Sequence, residues 1–202
     1  MAGRPKAFDR DEALEQAMAL FWRRGYTATS MGELCEAMGI KRQSLYDTFG
    51  DKHALFLAAI DRYCTMMADE MLAGLATPGA GLPALRATVG GVIDFLLQYP
   101  DRRACLMVNT ALEMAPHDRV VADKVKVYMA AMESAFVHAL DNALRQGALA
   151  QPADIPALAR YLVGLVNGLV VAAKSGAGRP ALDDIARIGF TALPVIDKGG
   201  AS

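Results

Sequence analysis

Apolar side chains in this chain recur three and four residues apart and almost nowhere alternate, which restricts it to helices. Leu14, Ala17, Met18 and Phe21 show the i, i+3, i+4, i+7 spacing of one helical face, and Asp9 and Glu12 are placed to cap the start. That helix is expected over 9–24, stopping at Gly25. Ser30-Met-Gly-Glu33 fits the S-x-x-E capping box, so a second helix opens there and ends near Met38-Gly39, where a glycine suits the left-handed closing residue. A third short helix is predicted over 41–49, closed by Gly50, with Asp51 capping the next. From 51 to about 75 the pattern reads as one long helix, ended by the breaker Thr77-Pro-Gly-Ala-Gly-Leu-Pro83. Further helices are predicted over 83–99, 103–114, 118–146, 155–174 and 180–193. The expectation is an all-α chain of about nine helices with a frayed tail at 198–202.

Composition narrows the functional classes. Apolar types make up 53 % of 202 residues and charged types 21 %, a balance that supports a packed core and excludes disorder along the whole chain. The longest nearly uninterrupted apolar stretch, 161–173, is 13 residues, short of the roughly 20 that span a bilayer. No apolar segment follows the basic Met1-Ala-Gly-Arg-Pro-Lys start, so a cytoplasmic protein without a membrane partner is expected. Cys35, Cys64 and Cys105 form no Cys-x-x-Cys pair, and His53, His117 and His138 are isolated, so local spacing predicts neither a metal site nor a cofactor. With 21 basic and 22 acidic side chains, only local placement can point to a polyanion.

Such a placement lies between 30 and 49, which has the spacing of two short helices joined by a tight glycine turn. Leu34, Met38, Ile40, Leu45 and Phe49 sit where the unit would meet its own core. Lys41, Arg42, Gln43, Ser44, Asp47 and Thr48 sit where the second helix would meet DNA. Arginine, glutamine and serine can bond base edges, while Lys41 and Lys52 suit phosphates and Tyr46 can reach one through its hydroxyl. Thr29 and Ser30 open the first of the two helices, whose exposed N–H groups favour an anion. Arg4 and Lys6 form a short basic arm. Net charge does not discriminate here: Arg4, Lys6, Arg10, Arg23, Arg24, Lys41, Arg42 and Lys52 are matched by Asp9, Asp11, Glu12, Glu15, Glu33, Glu36, Asp47 and Asp51. A solvated helix face is the competing reading of the spacing.

Gly25-Tyr26-Thr-Ala-Thr29-Ser30-Met31, Glu33-Leu34-Cys-Glu-Ala-Met-Gly39-Ile40 and Ser44-Leu45-Tyr46-Asp-Thr-Phe49-Gly-Asp-Lys52-His-Ala-Leu55-Phe56 together resemble the DNA-binding domain of the TetR family of transcriptional regulators. The likeness runs from about Gly3 to Phe56. Cys35 stands where a small residue is usual, Thr48 where histidine is common, and Lys41-Arg42-Gln43 replaces smaller residues at the entry to the reading helix, so no operator sequence carries over. The resemblance implies a DNA-binding domain over 1–56 and a ligand-binding and dimerisation domain over 57–197. It also implies a homodimer, usually a repressor, released from a palindromic operator by a small molecule. Half-sites would then lie roughly 34–36 Å apart, or a little more.

For the dimer, Leu162, Leu165, Val166, Leu169 and Val170 make a broad apolar face on a late helix, and Gly164-x-x-x-Gly168 permits close helix contact; monomer core is the competing reading. For the effector pocket, Met66, Met67, Met71, Met107, Met114, Met129 and Met132 supply flexible thioethers, against an alternative as core filler. Tyr63, Phe95, Asn109, Tyr128, Phe136 and Asn167 can add walls and polar anchors. Cys105 follows Asp101-Arg-Arg103-Ala at the start of a predicted helix, where guanidinium groups and a helix N-terminus favour a thiolate. The run from Arg103 to Glu113 also resembles a TetR branch with a cysteine at this point, and in some of its members that cysteine senses electrophiles or oxidants. In that resemblance Lys174 is the candidate charge partner, and a buried structural cysteine is the alternative. No G-x-S-x-G or strand-borne G-x-G-x-x-G is present, so an enzyme is not expected. A small thiol enzyme built on Cys105 is the remaining alternative.

Overall fold

The computed structural model describes residues 8–99, 101 and 103–196, so Arg4, Lys6, Arg102 and the 198–202 tail lie outside the described residues. Nine α-helices are found among them: α1 (Arg10–Arg24), α2 (Met31–Met38), α3 (Arg42–Phe49), α4 (Lys52–Met67), α5 (Leu82–Leu97), α6 (Leu106–Glu113), α7 (Arg119–Arg145), α8 (Ile155–Lys174) and α9 (Arg179–Phe190). The chain forms two compact units. One gathers the residues up to Met66 with Leu106–Val125; the other gathers Met67–Cys105 with Lys126 onward.

The first unit is built on caps legible in the sequence. Asp9 accepts from the backbone N–H groups of Asp11 (2.8 Å) and Glu12 (3.1 Å). Ser30 and Glu33 close the capping box in both directions: Ser30 Oγ accepts from Glu33 N, and the Glu33 carboxylate accepts from Ser30 N. Gly39, at φ 65° and ψ 26°, ends α2 in the left-handed region, and Ile40 N reaches back to Cys35 O at 3.1 Å. Leu34 and Leu45 are fully buried where α2 packs on α3, and the Arg10 guanidinium of α1 lies 5.2 Å from the Phe49 ring centre, while Phe21 of α1 and Phe56 of α4 meet edge to face at 5.0 Å.

In the second unit α5, α8 and α9 pack on one another. Leu85, Ile93, Leu162, Leu169 and Leu182 are at most 2 % exposed. Helices α8 and α9 approach closely at Gly189, where an added Cβ would lie 2.6 Å from Leu165 Cδ2. Tyr161 Oη donates to Gly189 O at 3.0 Å across the same pair.

Four expectations change. The helix predicted over 51–75 keeps α geometry only to Met67, then widens into a π turn over Ala68–Leu72 and tightens into a 3-10 turn over Ala73–Ala76. No side chain of the π turn is buried, so packing does not hold the α pitch there. The helix predicted from 103 starts at Leu106, because Ala104 sits at φ 56° and Arg103 folds back on Asp101. Cys105 therefore precedes the helix. The nominated dimer residues Leu162, Val166, Leu169 and Val170 are at most 5 % exposed within the single chain, and Leu165 is spent against Gly189, so this face is core. The exposed side of α8 carries Tyr161, Gly164, Gly168 and Val171 instead. Finally, α8 has the bounds expected, 155–174, but over its 20 residues it is apolar enough by length and composition to cross a bilayer, where the 13-residue uninterrupted run within it is not. Its inner side is buried against α5 and α9, and its outer side is exposed.

Gly25 ends α1 at φ 82° and ψ 173°, a backbone region open almost only to glycine. A Cβ there would lie 2.5 Å from Glu113 Oε2. Gly25→Ala is expected to destabilise the protein by about 1–3 kcal/mol. Urea unfolding followed through Trp22, the single tryptophan, reads the loss.

Candidate nucleic-acid interface

Eight residues form α3, and its two sides differ sharply. Leu45 and Phe49 face inward, at 0 % and 8 % exposure, while Arg42, Gln43, Tyr46 and Asp47 are exposed. Ser44 and Thr48 lie half-buried on the flanks. Lys41 occupies the N-cap position without a side-chain cap bond, so the first N–H groups of α3 are not answered by a cap from the chain. An anion suits that end.

The outward face is ordered by pairs one turn apart. Arg42 Nη2 donates to Tyr46 Oη at 3.4 Å and its guanidinium lies 5.8 Å from the centre of the Tyr46 ring. That hydrogen bond raises the Arg42 pKa above its ordinary value. Gln43 Nε2 donates to Asp47 Oδ1 at 2.8 Å. Lys52, at the start of α4, holds its ammonium 4.3 Å from the Tyr26 ring centre, which fixes the stem while the charge stays near the surface.

Ser30 is exposed at the start of α2, as expected for a phosphate-facing cap. Thr29 is not. It is 1 % exposed, and its hydroxyl donates to Gly25 O at 2.6 Å, so it braces the loop between α1 and α2 from within and does not face a phosphate.

Two acidic residues that spacing could not single out hold this head in shape. Glu113, at the end of α6, accepts from Tyr26 N through Oε2 (3.0 Å) and from Thr27 N through Oε1 (2.7 Å). Asp118 Oδ2 lies 2.6 Å from His53 Nε2, while Asp118 Oδ1 accepts from Val121 N at the start of α7. The backbone N–H of Val121, then His53, hold the Asp118 carboxyl below its ordinary range. Burial, then the charges of Asp51 and Asp118, push the Tyr26 hydroxyl up. No local signal marks Glu113, whose partners lie in a loop distant in sequence.

The nominated effector residues divide between the units. Tyr63 and Asn109 belong to the first; Tyr63 is fully buried and meets Trp22 edge to face at 5.0 Å. Met67, Met71, Phe95, Cys105, Met132, Phe136, Asn167 and Lys174 belong to the second. Phe95, Met132 and Phe136 are buried, and Asn167 Nδ2 donates to Met129 Sδ at 3.8 Å. Cys105 is 7 % exposed, and Arg103 holds Asp101 through a fork at 3.0 and 2.8 Å while lying 4.3 Å from the Tyr99 ring centre. The second unit carries two open grooves of about 320 Å³, one lined by Glu70, Met71, Ala84 and Thr88, the other by Lys126, Met129, Glu133 and Arg160. Of the residues expected to line a pocket, Met71 lines the first groove and Met129 the second. Among the described residues, no group of three metal-ligating side chains comes together and no cysteine is in a disulfide.

A short helix with a buried apolar edge and an exposed polar edge, reached through a glycine turn and open at its N-terminus, defines a helix-turn-helix protein. Residues 13–59 match the bacterial regulatory proteins of the tetR family, and residues 81–188 match the tetracyclin repressor-like C-terminal domain. The chain is 35 % identical over 192 residues to YezE, an uncharacterised HTH-type transcriptional regulator of Bacillus subtilis (strain 168), covering 95 % of this chain and 99 % of that one. It is 34 % identical over 197 residues to the HTH-type transcriptional repressor ComR of Escherichia coli (strain K12), covering 97 % and 94 %. Among solved structures, a CifR variant with three cysteines replaced, bound to a 26-base-pair operator DNA, superposes with a TM-score of 0.84 at 31 % identity, covering 95 % of this chain and 100 % of that one. The protein belongs to the TetR family of transcriptional regulators.

The capping box gives the head an acid limit. Its backbone hydrogen bond from Ser30, then the Ser30 side chain, hold Glu33 below the ordinary 4.5. A carboxylate depressed by folding stabilises the fold above its unfolded value, and the contribution disappears as pH falls through the folded one. Glu33→Gln keeps an acceptor but does not titrate. Wild type is expected to be the more stable at about pH 6, with the difference shrinking as pH is taken down through the acid range below 4.5, read by thermal melts of both proteins.

Proposed function

We propose that the protein acts in the cytoplasm as a homodimeric repressor, carrying no catalysis of its own. It grips a palindromic operator through α2 and α3 and releases it when an electrophile or small molecule is sensed in the C-terminal region. The observation that carries the reading is the two-sided α3, with Leu45 and Phe49 buried and Arg42, Gln43, Tyr46 and Asp47 presented outward beside an uncapped N-terminus. Repression follows ComR, and operator binding follows the CifR complex. Residues 1–56 serve as the reading domain and 57–197 as the sensing and pairing domain. One reading helix makes too few contacts for tight specific binding, and two on one duplex double them.

Pairing uses the outer side of α8 and α9 rather than the buried one. Tyr161, Val171, Ile185 and Ile188 are 37–57 % exposed, beside Gly164 and Gly168, where an added Cβ would meet nothing within 4 Å of this chain. Two glycines open to solvent on an apolar helix face suit the close approach of a second copy. Gly168→Trp has room within one chain, so it is expected to fold but to sediment as a monomer and to bind operator weakly. A dimer that survives the substitution would remove this face from the interface.

Fluorescence anisotropy on DNA from upstream of the protein's own gene tests the reading. Binding that weakens with salt and exceeds binding to random DNA is expected, and Lys41→Ala should lower the salt slope by about one. N-ethylmaleimide is expected to release wild type but not Cys105→Ser. Release that persists in Cys105→Ser would return the cysteine to the core.

A further inference from the structure

We propose that Asp47 is a specificity-determining residue of the reading helix, and that the pair it forms with Gln43 selects adenine in each half-site. The proposal rests on the reading of α3 as the base-contacting element. Gln43 and Asp47 lie one turn apart on the exposed side of α3, opposite the buried Leu45 and Phe49. Gln43 Nε2 donates to Asp47 Oδ1 at 2.8 Å.

That bond decides what the glutamine can say to a base. A primary amide has two N–H donors on one end and an acceptor oxygen on the other. Left alone, it can turn over and offer either end to a base edge. A carboxylate accepts only, so turning the Gln43 amide over would set Oε1 against the Asp47 oxygens. With one N–H spent on Asp47, the amide retains one N–H and Oε1, a donor beside an acceptor. Adenine presents the complement in the major groove, the N6 amino donor beside the N7 acceptor. Guanine presents two acceptors there, O6 and N7, and thymine an acceptor beside a methyl group, so both meet the fixed amide with an unmatched acceptor. Asp47 adds a direct penalty, because its carboxylate repels the same acceptors and the neighbouring phosphates.

Asp47 therefore trades affinity for discrimination, and this sets the sign of its substitution apart from ordinary damage. Asp47→Ala frees the amide to turn and removes a negative charge from the DNA-facing side. It should bind random DNA at least as tightly as wild type. At one position of each half-site, the preference for adenine over guanine should fall from roughly 5- to 150-fold to near none. Gln43→Ala should lose the preference at that same position. Asp47→Glu, which restores an acceptor, should recover it in part.

Selection of bound sequences from random duplexes, run in parallel on the full-length wild type, Asp47→Ala, Asp47→Glu and Gln43→Ala, reads each of these. Wild type selecting adenine at a position that both alanine variants relax, with Asp47→Ala tight on random DNA, is the expected result. A wild-type half-site that Asp47→Ala leaves unchanged, or an Asp47→Ala that loses specific and random binding alike, overturns the proposal while DNA binding stands. Failure of wild type to enrich any sequence overturns both readings together.

Discussion

A helix of eight residues does not hold itself together in water; nucleation is unfavourable and too few hydrogen bonds follow to offset it. The reading function of α3 consequently depends on one event, the burial of Leu45 and Phe49 against the rest of the head. Once those two side chains are covered, the helix has only one orientation left, and Arg42, Gln43, Tyr46 and Asp47 can point nowhere but out. Gly39 fixes the approach to α3 through its left-handed turn. The polar side is thus ordered by an apolar contact that touches no DNA.

The same economy governs the loop before α2. Tyr26 and Thr27 have backbone N–H groups that no helix uses, and the Glu113 carboxylate accepts both. Thr29 ties the loop to Gly25, and Ser30 then starts α2 with its cap already in place. Asp118 and His53 join the start of α7 to the first turn of α4. An element of the central sequence, α6 with the corner after it, thereby becomes structural material for an N-terminal reading head.

Where the determinants were local, sequence reading was accurate. The Ser30–Glu33 box, the Gly25, Gly39 and Gly50 stops and the alternation of sides on α3 each depend on residues within one or two turns, and the structure reproduces them. It faltered where a neighbour distant in sequence decides the outcome. Thr29 looked like a cap-side phosphate ligand because spacing cannot show that Gly25 O lies within reach. On α8, periodicity marked Leu162, Val166, Leu169 and Val170 as an apolar face but could not say whether α5 and α9 or a second chain would cover it. Both sides of α8 are apolar or small, so the pattern itself held no answer. The late start of α6 turned on one residue, Ala104, in a backbone region that its side chain does not advertise.

The socket at Gly25 has a consequence for descent. The space that a Cβ would fill at position 25 is already taken by the carboxylate of Glu113. A lineage that gained a side chain at 25 would have to push the carboxylate at 113 aside, and the displaced carboxylate would abandon two amides. A lineage that lost the acid at 113 would still need glycine at 25, because the backbone there stays in a region open almost only to that residue. The dependence runs one way: position 113 can use position 25 only while that residue has no side chain, although nothing near either one in the chain records the bond.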